Sequence, residues 1–338
     1  MSKNKASKLV KDSSQLIPRV RLAALPTPLE PLPRLSAALG GPRLLVKRDD
    51  LTGLAMGGNK TRKLEYVLAD AQSNGARTLI TVGAAQSNHC RQTAALAARM
   101  GLGCILVLNG DPRQSPSGNY LLDQLFGAEI VWTTRDDRAA ALQKAFETAW
   151  EAGRRPYLIP LGASNPIGAL AYENAFREFL AQSGALGQVD WIVVASSSGG
   201  TQAGLALGAR RAGWHGRVMG ISIDEPEDDL KEIIAHLASE AADRLGADLR
   251  LKPEDIFVNA EFLGAGYGVL GAPEREAIRL FAQTEGLLLD PVYTGRAAAG
   301  MIALIRQGFF KPGETVLFWH TGGTPALFAD SYAPELMK

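Results

Sequence analysis

The stretch "AMGGNKTRKLE" (55–65) sets a lysine, Lys60, beside two glycines where a helical pattern begins. Leu64, Val67, Leu68 and Ala71 then share one face, which puts Lys60 in the first turn. A helix N-terminus disfavours a cation, and together with partial burial it lowers an amine's pKa. A neutral amine is what a Schiff-base nucleophile needs. Gly57 and Gly58 leave room for a flat ring against the backbone. Two other readings compete. One is a solvated lysine at a helix start. The other is a nucleotide-triphosphate loop, because Gly53 and Gly58 have its spacing, but Asn59 displaces Lys60 by one residue.

Two further loops carry polar groups at strand ends. "VASSSGGTQAGLALG" (194–208) runs from a strand through Ser197, Ser198, Gly199, Gly200 and Thr201 into a helix. Unobstructed N–H groups at a positive helix end suit a phosphate monoester. The G-x-G-x-x-G spacing of a dinucleotide site is absent, and a purely structural turn is the alternative. "GAAQSNHCRQT" (83–93) places Gln86, Ser87, Asn88 and His89 in a row, more polar groups than capping requires, and they suit a substrate carboxylate. A Ser87–His89 hydrolase dyad lacks its G-x-S-x-G elbow. His215, His236 and His320 are isolated, so no metal site is spelled out. A phosphate cradle, an amine of lowered pKa and a carboxylate grip together describe pyridoxal 5′-phosphate, which supplies an electron sink while the protein chooses the reaction.

The elements that must position these loops alternate between strand and helix. "RTLITVG" (77–83), "GCILVL" (103–108), "AEIVWT" (128–133) and "PYLIP" (156–160) read as buried strands. A second series runs through "WIVVASSS" (191–198), "RVMGISID" (217–224) and "TVLFWHTGG" (315–323). Between them lie helices with inward faces: Thr93, Leu96, Ala97 and Met100 before Gly101; Ala277, Leu280 and Phe281 before Gly286; and Ala298, Met301, Ile302 and Ile305. Such alternation predicts an α/β fold with parallel sheets covered by helices, and ligands at the rim after each strand. The two series predict two domains with a cleft between them, which 338 residues can fill.

Bulk composition narrows the class. A formal charge of +1, from 36 basic and 35 acidic residues, points to neither a nucleic acid nor a membrane surface. No apolar run is long enough to cross a bilayer. Cys90 and Cys104 are too few for a disulfide framework, and Cys90, though next to His89, is expected to be an inert buried thiol. "MSKNKASKLVKDSSQLIP" (1–18) lacks the apolar core of a secretory signal, so a frayed tail and a cytoplasmic location are expected. Its lysines among serines are also the composition of a transit peptide, so a targeting role stands beside that reading.

"KRDDLTGLAMGGNKTRKLE", "GAAQSNHCRQTAA", "GYG", "LLLDPVYTGRA" and "HTGGTPALF" occur in this order from about Leu25 to Phe328. In these motifs the chain resembles the family of D-cysteine desulfhydrase and 1-aminocyclopropane-1-carboxylate deaminase. The resemblance implies the tryptophan-synthase-β-like fold, PLP fold type II, as two open twisted parallel-sheet domains with the cofactor in the cleft. It implies a small domain, 63–173, inserted into a large one, 1–62 with 174–338, and a homodimer. It makes Lys60 the Schiff-base lysine, Asn88 the partner of the pyridoxal O3′ oxygen and Ser87 a carboxylate ligand. The loop from Ser196 to Thr201 matches the phosphate cradle, although Ser197 and Gly199 depart from its more usual S-G-S-A-G-T. Tyr267 and Tyr293 match the two active-site tyrosines, and Asp290 is expected to be a structural residue.

Two positions bear on the branch. The deaminases carry a glutamate after the second tyrosine and a leucine in "HLGG"; here Thr294 and Thr321 stand there. A threonine does not keep the pyridine nitrogen protonated as a glutamate would, so the ring is a weaker sink. Expelling a β-thiol asks less of it than opening a cyclopropane. The resemblance therefore implies α,β-elimination of D-cysteine to pyruvate, hydrogen sulfide and ammonia. L-cysteate sulfo-lyase is the alternative, with cyclopropane deaminase and a non-catalytic PLP-binding protein behind it. The handedness at the α-carbon stays open. Arg296 is expected to be a surface charge at a helix start, which near the cleft would favour an anionic substrate.

Overall fold

The computed structural model describes residues 17–184 and 186–338, so the readings of the basic tail lie almost wholly outside the described residues. Its strands are β1 (Leu29–Pro31), β2 (Arg43–Arg48), β3 (Thr78–Ala84), β4 (Gly103–Asn109), β5 (Glu129–Thr133), β6 (Pro156–Leu158), β7 (Trp191–Ser196), β8 (Arg217–Ser222), β9 (Phe257–Asn259) and β10 (Thr315–His320). They form a six-stranded sheet in the order β1-β2-β10-β7-β8-β9 and a four-stranded sheet in the order β5-β4-β3-β6. Every pair is parallel except β1 with β2.

All seven strands expected from the sequence are present, though β6 stops at Leu158 and β7 at Ser196. The strands that the apolar runs did not announce are β1, β2 and β9. Two of these are three residues long, and the third, "RLLVKR", hides its apolar centre between charged ends.

The helices are α1 (Pro33–Leu39), α2 (Asn59–Ser73), α3 (Asn88–Met100), α4 (Gly118–Leu125), α5 (Arg138–Glu151), α6 (Pro166–Ser183), α7 (Gly200–Arg211), α8 (Glu227–Arg244), α9 (Ala272–Glu285), α10 (Thr294–Arg306) and the short α11 (Ala333–Leu336). Alternate strand residues face opposite sides, so each interior strand of the large sheet feeds two cores. Val46, Val193, Ile221 and Phe318 pack with Phe281 of α9 and Met301 of α10. Leu45, Ile192, Val194, Leu317 and Trp319 pack with Phe176 and Phe179 of α6. In the small sheet, Leu79 and Leu106 meet Leu64 and Leu96 of α2 and α3, while Ile80 and Val107 meet Ala145 of α5.

One buried carboxylate fixes α2 against both sheet and helix layers. Asp49 follows β2 and is 0% exposed, so its charge needs partners. It accepts from Arg62 of α2 at 2.8 and 3.0 Å, Tyr172 of α6 at 2.6 Å and Trp319 of β10 at 2.9 Å. Burial opposes ionisation, but the Arg62 guanidinium and the phenol and indole donors outweigh it and hold the carboxyl below its usual range. Removing such a partner costs about 3–5 kcal/mol, because an unpaired buried charge is left behind. Lys60, two residues before Arg62, inherits this rigidity.

Candidate active site

A cavity of about 320 Å³ opens between the two sheets at the strand ends, where the rim argument places it. Lys60, Ser87, Asn88, His89, Ser197, Ser198, Gly199, Gly200, Thr201, Tyr267, Tyr293 and Thr321 all line it, although the sequence spreads them over more than half the chain. Of the expected residues, Gln86 and Thr294 are not part of the lining.

The loop before Lys60 makes a tight approach to the backbone beneath it. Gly57 has φ +68°, and a Cβ there would lie 1.9 Å from the Asp50 carbonyl oxygen, so only glycine fits. Lys60 is the second residue of α2 and is only partly exposed to the cavity. Its ammonium donates to the Gly162 carbonyl at 3.3 Å. Desolvation lowers its pKa to about 8.

The loop from Ser196 to Thr201 joins β7 to α7. No side chain caps the N-terminus of α7, and Gly199 there is left-handed with φ +76°. A Cβ at Gly200 would meet the Ser164 hydroxyl at 2.6 Å and the Lys63 ammonium at 3.0 Å. The Ser196 hydroxyl is buried without a hydrogen-bond partner. Small residues, an uncapped helix end, an orphaned hydroxyl and a nearby amine that can donate form a cradle of the size and polarity a phosphate needs.

Lys63 was not singled out in the sequence. It lies one helical turn beyond Lys60, fully buried, and donates to the same Gly162 carbonyl at 3.2 Å and to Ser164 at 3.1 Å. Burial first, and then the Lys60 charge, push its pKa well down. Its i, i+3 spacing from Lys60 was the available signal.

On the opposite wall Ser87 caps α3, accepting from the Cys90 N–H at 3.2 Å. The His89 Nε2 faces the Thr81 hydroxyl at 2.8 Å, and that hydroxyl donates to the Ile159 carbonyl. The shared hydrogen therefore sits on Nε2, leaving Nδ1 as a buried acceptor without a partner. Desolvation, then the two lysines, keep this ring neutral. Gln86 turns away from the cavity to bond the Ser117 carbonyl and the Asn119 N–H.

Two expectations need correcting. Thr294 is fully buried, and its hydroxyl donates to Asp290 at 2.7 Å rather than reaching into the cavity. The reason is local: Asp290 accepts from Thr294, Tyr293 and Val292 in one turn before α10, the structural part expected of it. Arg296 is not a surface charge but 1% exposed. It pairs with Glu274 at 2.8 Å and donates to the carbonyls of Ile223, Gly266 and Val269, so it braces the loop that carries Tyr267 and offers no charge to a substrate. Besides Lys60 and Lys63, the ionisable Arg135, Arg138, Asp224 and Glu225 line the cavity.

Residues 20–322 match the model of a family described as pyridoxal-phosphate dependent enzyme. The chain belongs to that family. Its cofactor is pyridoxal 5′-phosphate, and the cradle, the orphaned Ser196 hydroxyl and the buried amine of Lys60 fit this group. A D-cysteine desulfhydrase of Klebsiella pneumoniae (strain 342) is 44% identical over 326 residues, spanning 94% of this chain and 97% of the relative. The crystal structure of an ACC deaminase homologue superposes with a TM-score of 0.86 at 40% identity, covering 97% of this chain and 98% of the other. The crystal structure of a threonine deaminase has a TM-score of 0.60 at 23% identity, over 88% of this chain and 92% of its own, and shares the fold. The fold is thus PLP fold type II, as the motifs implied.

Proposed function

We propose that the chain is a carbon–sulfur lyase that converts D-cysteine and water to hydrogen sulfide, pyruvate and ammonia. The observation that carries this reading is the 44% identity to a D-cysteine desulfhydrase over nearly the whole chain, with Lys60, Ser87, Tyr267 and Tyr293 gathered around one cavity. When bound, pyridoxal 5′-phosphate supplies the electron sink that acidifies an amino acid's α-proton. Lys60, whose pKa burial lowers to about 8 so that a large share of its amine is neutral there, would hold the cofactor and then take that proton. Ser87 and the α3 N-terminus grip the substrate carboxylate. Asn88 orients the ring, and the loop from Ser197 to Thr201, helped by Lys63, holds the phosphate. Thr321 flanks the ring and His89 closes the substrate wall.

Tyr267 and Tyr293 face the leaving group. Burial raises both phenol pKa values, so both stay protonated, and whichever hydroxyl accepts the bond between them keeps its own proton free for a departing thiolate. A sulfonate-bearing substrate gains nothing from Arg296, which is consumed by Glu274.

The division into a large domain of 1–62 with 174–338 and a small domain of 63–173 belongs to this proposal. The separate sheets support it, with α6 running across the second boundary. So does a homodimer, supported by the exposed apolar Leu125 and Phe328. No helix among the described residues is long and apolar enough to cross a membrane, and we assign a cytoplasmic location.

The test is product identification. Protein with cofactor is given D-cysteine, L-cysteine, L-cysteate and 1-aminocyclopropane-1-carboxylate separately. Pyruvate and sulfide from D-cysteine alone bear the proposal out; 2-oxobutyrate from the cyclopropane substrate, or sulfite from L-cysteate, overturns it.

A further inference from the structure

The side chain of Asn88 reaches the cavity wall with its orientation already decided. A carboxamide presents either its oxygen or its NH2 to a ligand, and its surroundings choose. The Asn88 Oδ1 accepts from Arg91 Nη1 at 3.2 Å and from Asn119 Nδ2 at 2.9 Å. Turning the amide would set its NH2 against both of these donors.

Neither donor is free to turn in compensation. The same Arg91 Nη1 donates to Asn119 Oδ1 at 2.9 Å, and Nη2 donates to the Gly57 carbonyl at 2.7 Å. Asn119 Nδ2 also donates to the Gln86 carbonyl at 2.8 Å, and the Asn119 N–H donates to Gln86 Oε1 at 2.8 Å. Arg91 and Asn119 are both 0% exposed. Asp123 does not capture the guanidinium, since neither of its buried oxygens has a hydrogen-bond partner. Asn88 Nδ2, in contrast, donates to nothing among the described residues and lies on the cavity wall.

We propose that Arg91 and Asn119 are positioning residues that lock the Asn88 carboxamide with its NH2 toward the cavity, as a fixed donor to the cofactor's phenolic oxygen. The inference rests on the reading above that Asn88 meets this oxygen, and it explains two things that reading leaves open. It gives buried Arg91 a reason to stand without a carboxylate partner. It also gives Gln86 its place, as the residue that holds Asn119 rather than a substrate. Through Gly57 the same guanidinium reaches the loop before Lys60, so one cation sets both the ring's donor and the approach to the nucleophile.

The experiment measures cofactor retention by visible absorbance as holoenzyme is diluted to equilibrium. It compares the wild type with Asn88→Ala, Asn119→Asp and the double variant. Asn119→Asp keeps the shape and the acceptor for Arg91 but replaces the NH2 with oxygen, which attracts the Asn88 NH2 and repels its Oδ1. The cofactor dissociation constant is expected to rise roughly tenfold or more in each single variant, the worth of a hydrogen bond to a charged oxygen. It is expected to rise no further in the double variant, because Asn119 acts only through Asn88. Asn119→Ala, with the donor simply deleted, gives a smaller rise and guards against misfolding of the aspartate form. An additive double variant, or unchanged retention in both Asn119 variants, overturns the positioning role. Unchanged retention in Asn88→Ala overturns the underlying reading of Asn88 instead.

Discussion

The hydroxyls of Tyr267 and Tyr293 lie 2.6 Å apart, with their rings edge to face at a centroid distance of 6.0 Å. One comes from the loop before α9 and the other caps the start of α10, so the bond joins two elements at the cavity wall. A pair this close shares one proton position between two oxygens, and the second hydroxyl sharpens the donor strength of the first. Tyr293→Phe is expected to lower kcat for sulfide release by roughly a hundredfold, the lower range for loss of a general acid, with KM little changed. Steady-state pyruvate formation reads this, and an unchanged kcat would remove Tyr293 from the chemistry.

Lys60 controls how the apoprotein takes up its cofactor. Only the neutral amine attacks a carbonyl, and burial lowers its pKa from 10.5 to about 8. Uptake followed by stopped-flow absorbance is therefore expected to climb with pH up to about 8 and then level. A plateau reached only near pH 10 would mean that the lysine is solvated.

Lys60→Ala is expected to retain the circular-dichroism spectrum while losing every cofactor molecule that borohydride can fix to the protein. Borohydride-stable yellow colour in that variant would transfer the nucleophile to another lysine, with Lys63 the nearest one along α2.

Arg296 links stability to catalysis. Arg296→Ala leaves Glu274 buried without its cation and frees the carbonyls on either side of Tyr267, which is expected to cost about 3 kcal/mol of stability. Arg296→Lys is expected to be milder in thermal unfolding yet to lower kcat, since a point charge does not span the carbonyls of both Gly266 and Val269. Wild-type kcat in the lysine variant would show that the brace matters for folding alone.

Thr294→Glu probes the turn rather than the ring. The new carboxylate would be buried against Asp290, so the melting temperature is expected to fall by several degrees. A rise in cyclopropane deamination with unchanged stability would restore this position to the ring nitrogen.

The parts of the site that local pattern describes were legible in the sequence. Lys60 in a first turn and the small residues of 197–201 follow from periodicity and loop chemistry, and the tyrosines follow from family motifs. What was not legible depends on partners distant in the chain. Arg296 looks like a solvated helix start until Glu274, 22 residues earlier on α9, is seen to meet it. Gln86 looks like one more substrate group until Asn119, 33 residues later, claims both its side chain and its carbonyl. Thr294 was read from its place in a motif, whereas the Asp290 four residues before it decides where its hydroxyl points. The apolar runs located the strands but gave no hint that "RLLVKR" would lie between β1 and β10.

The position of β10 bears on how the molecule is made. This strand, Thr315–His320, lies between β2 and β7 and carries the indole that reaches Asp49. A ribosome delivers it after all the other strands, yet it fills an interior place in the large sheet. Until then β2 and β7 each present an open edge, and Asp49 lacks one of its donors. The large sheet, and with it the Thr321 wall of the cleft, is therefore complete only once the last strand of the chain has been synthesised.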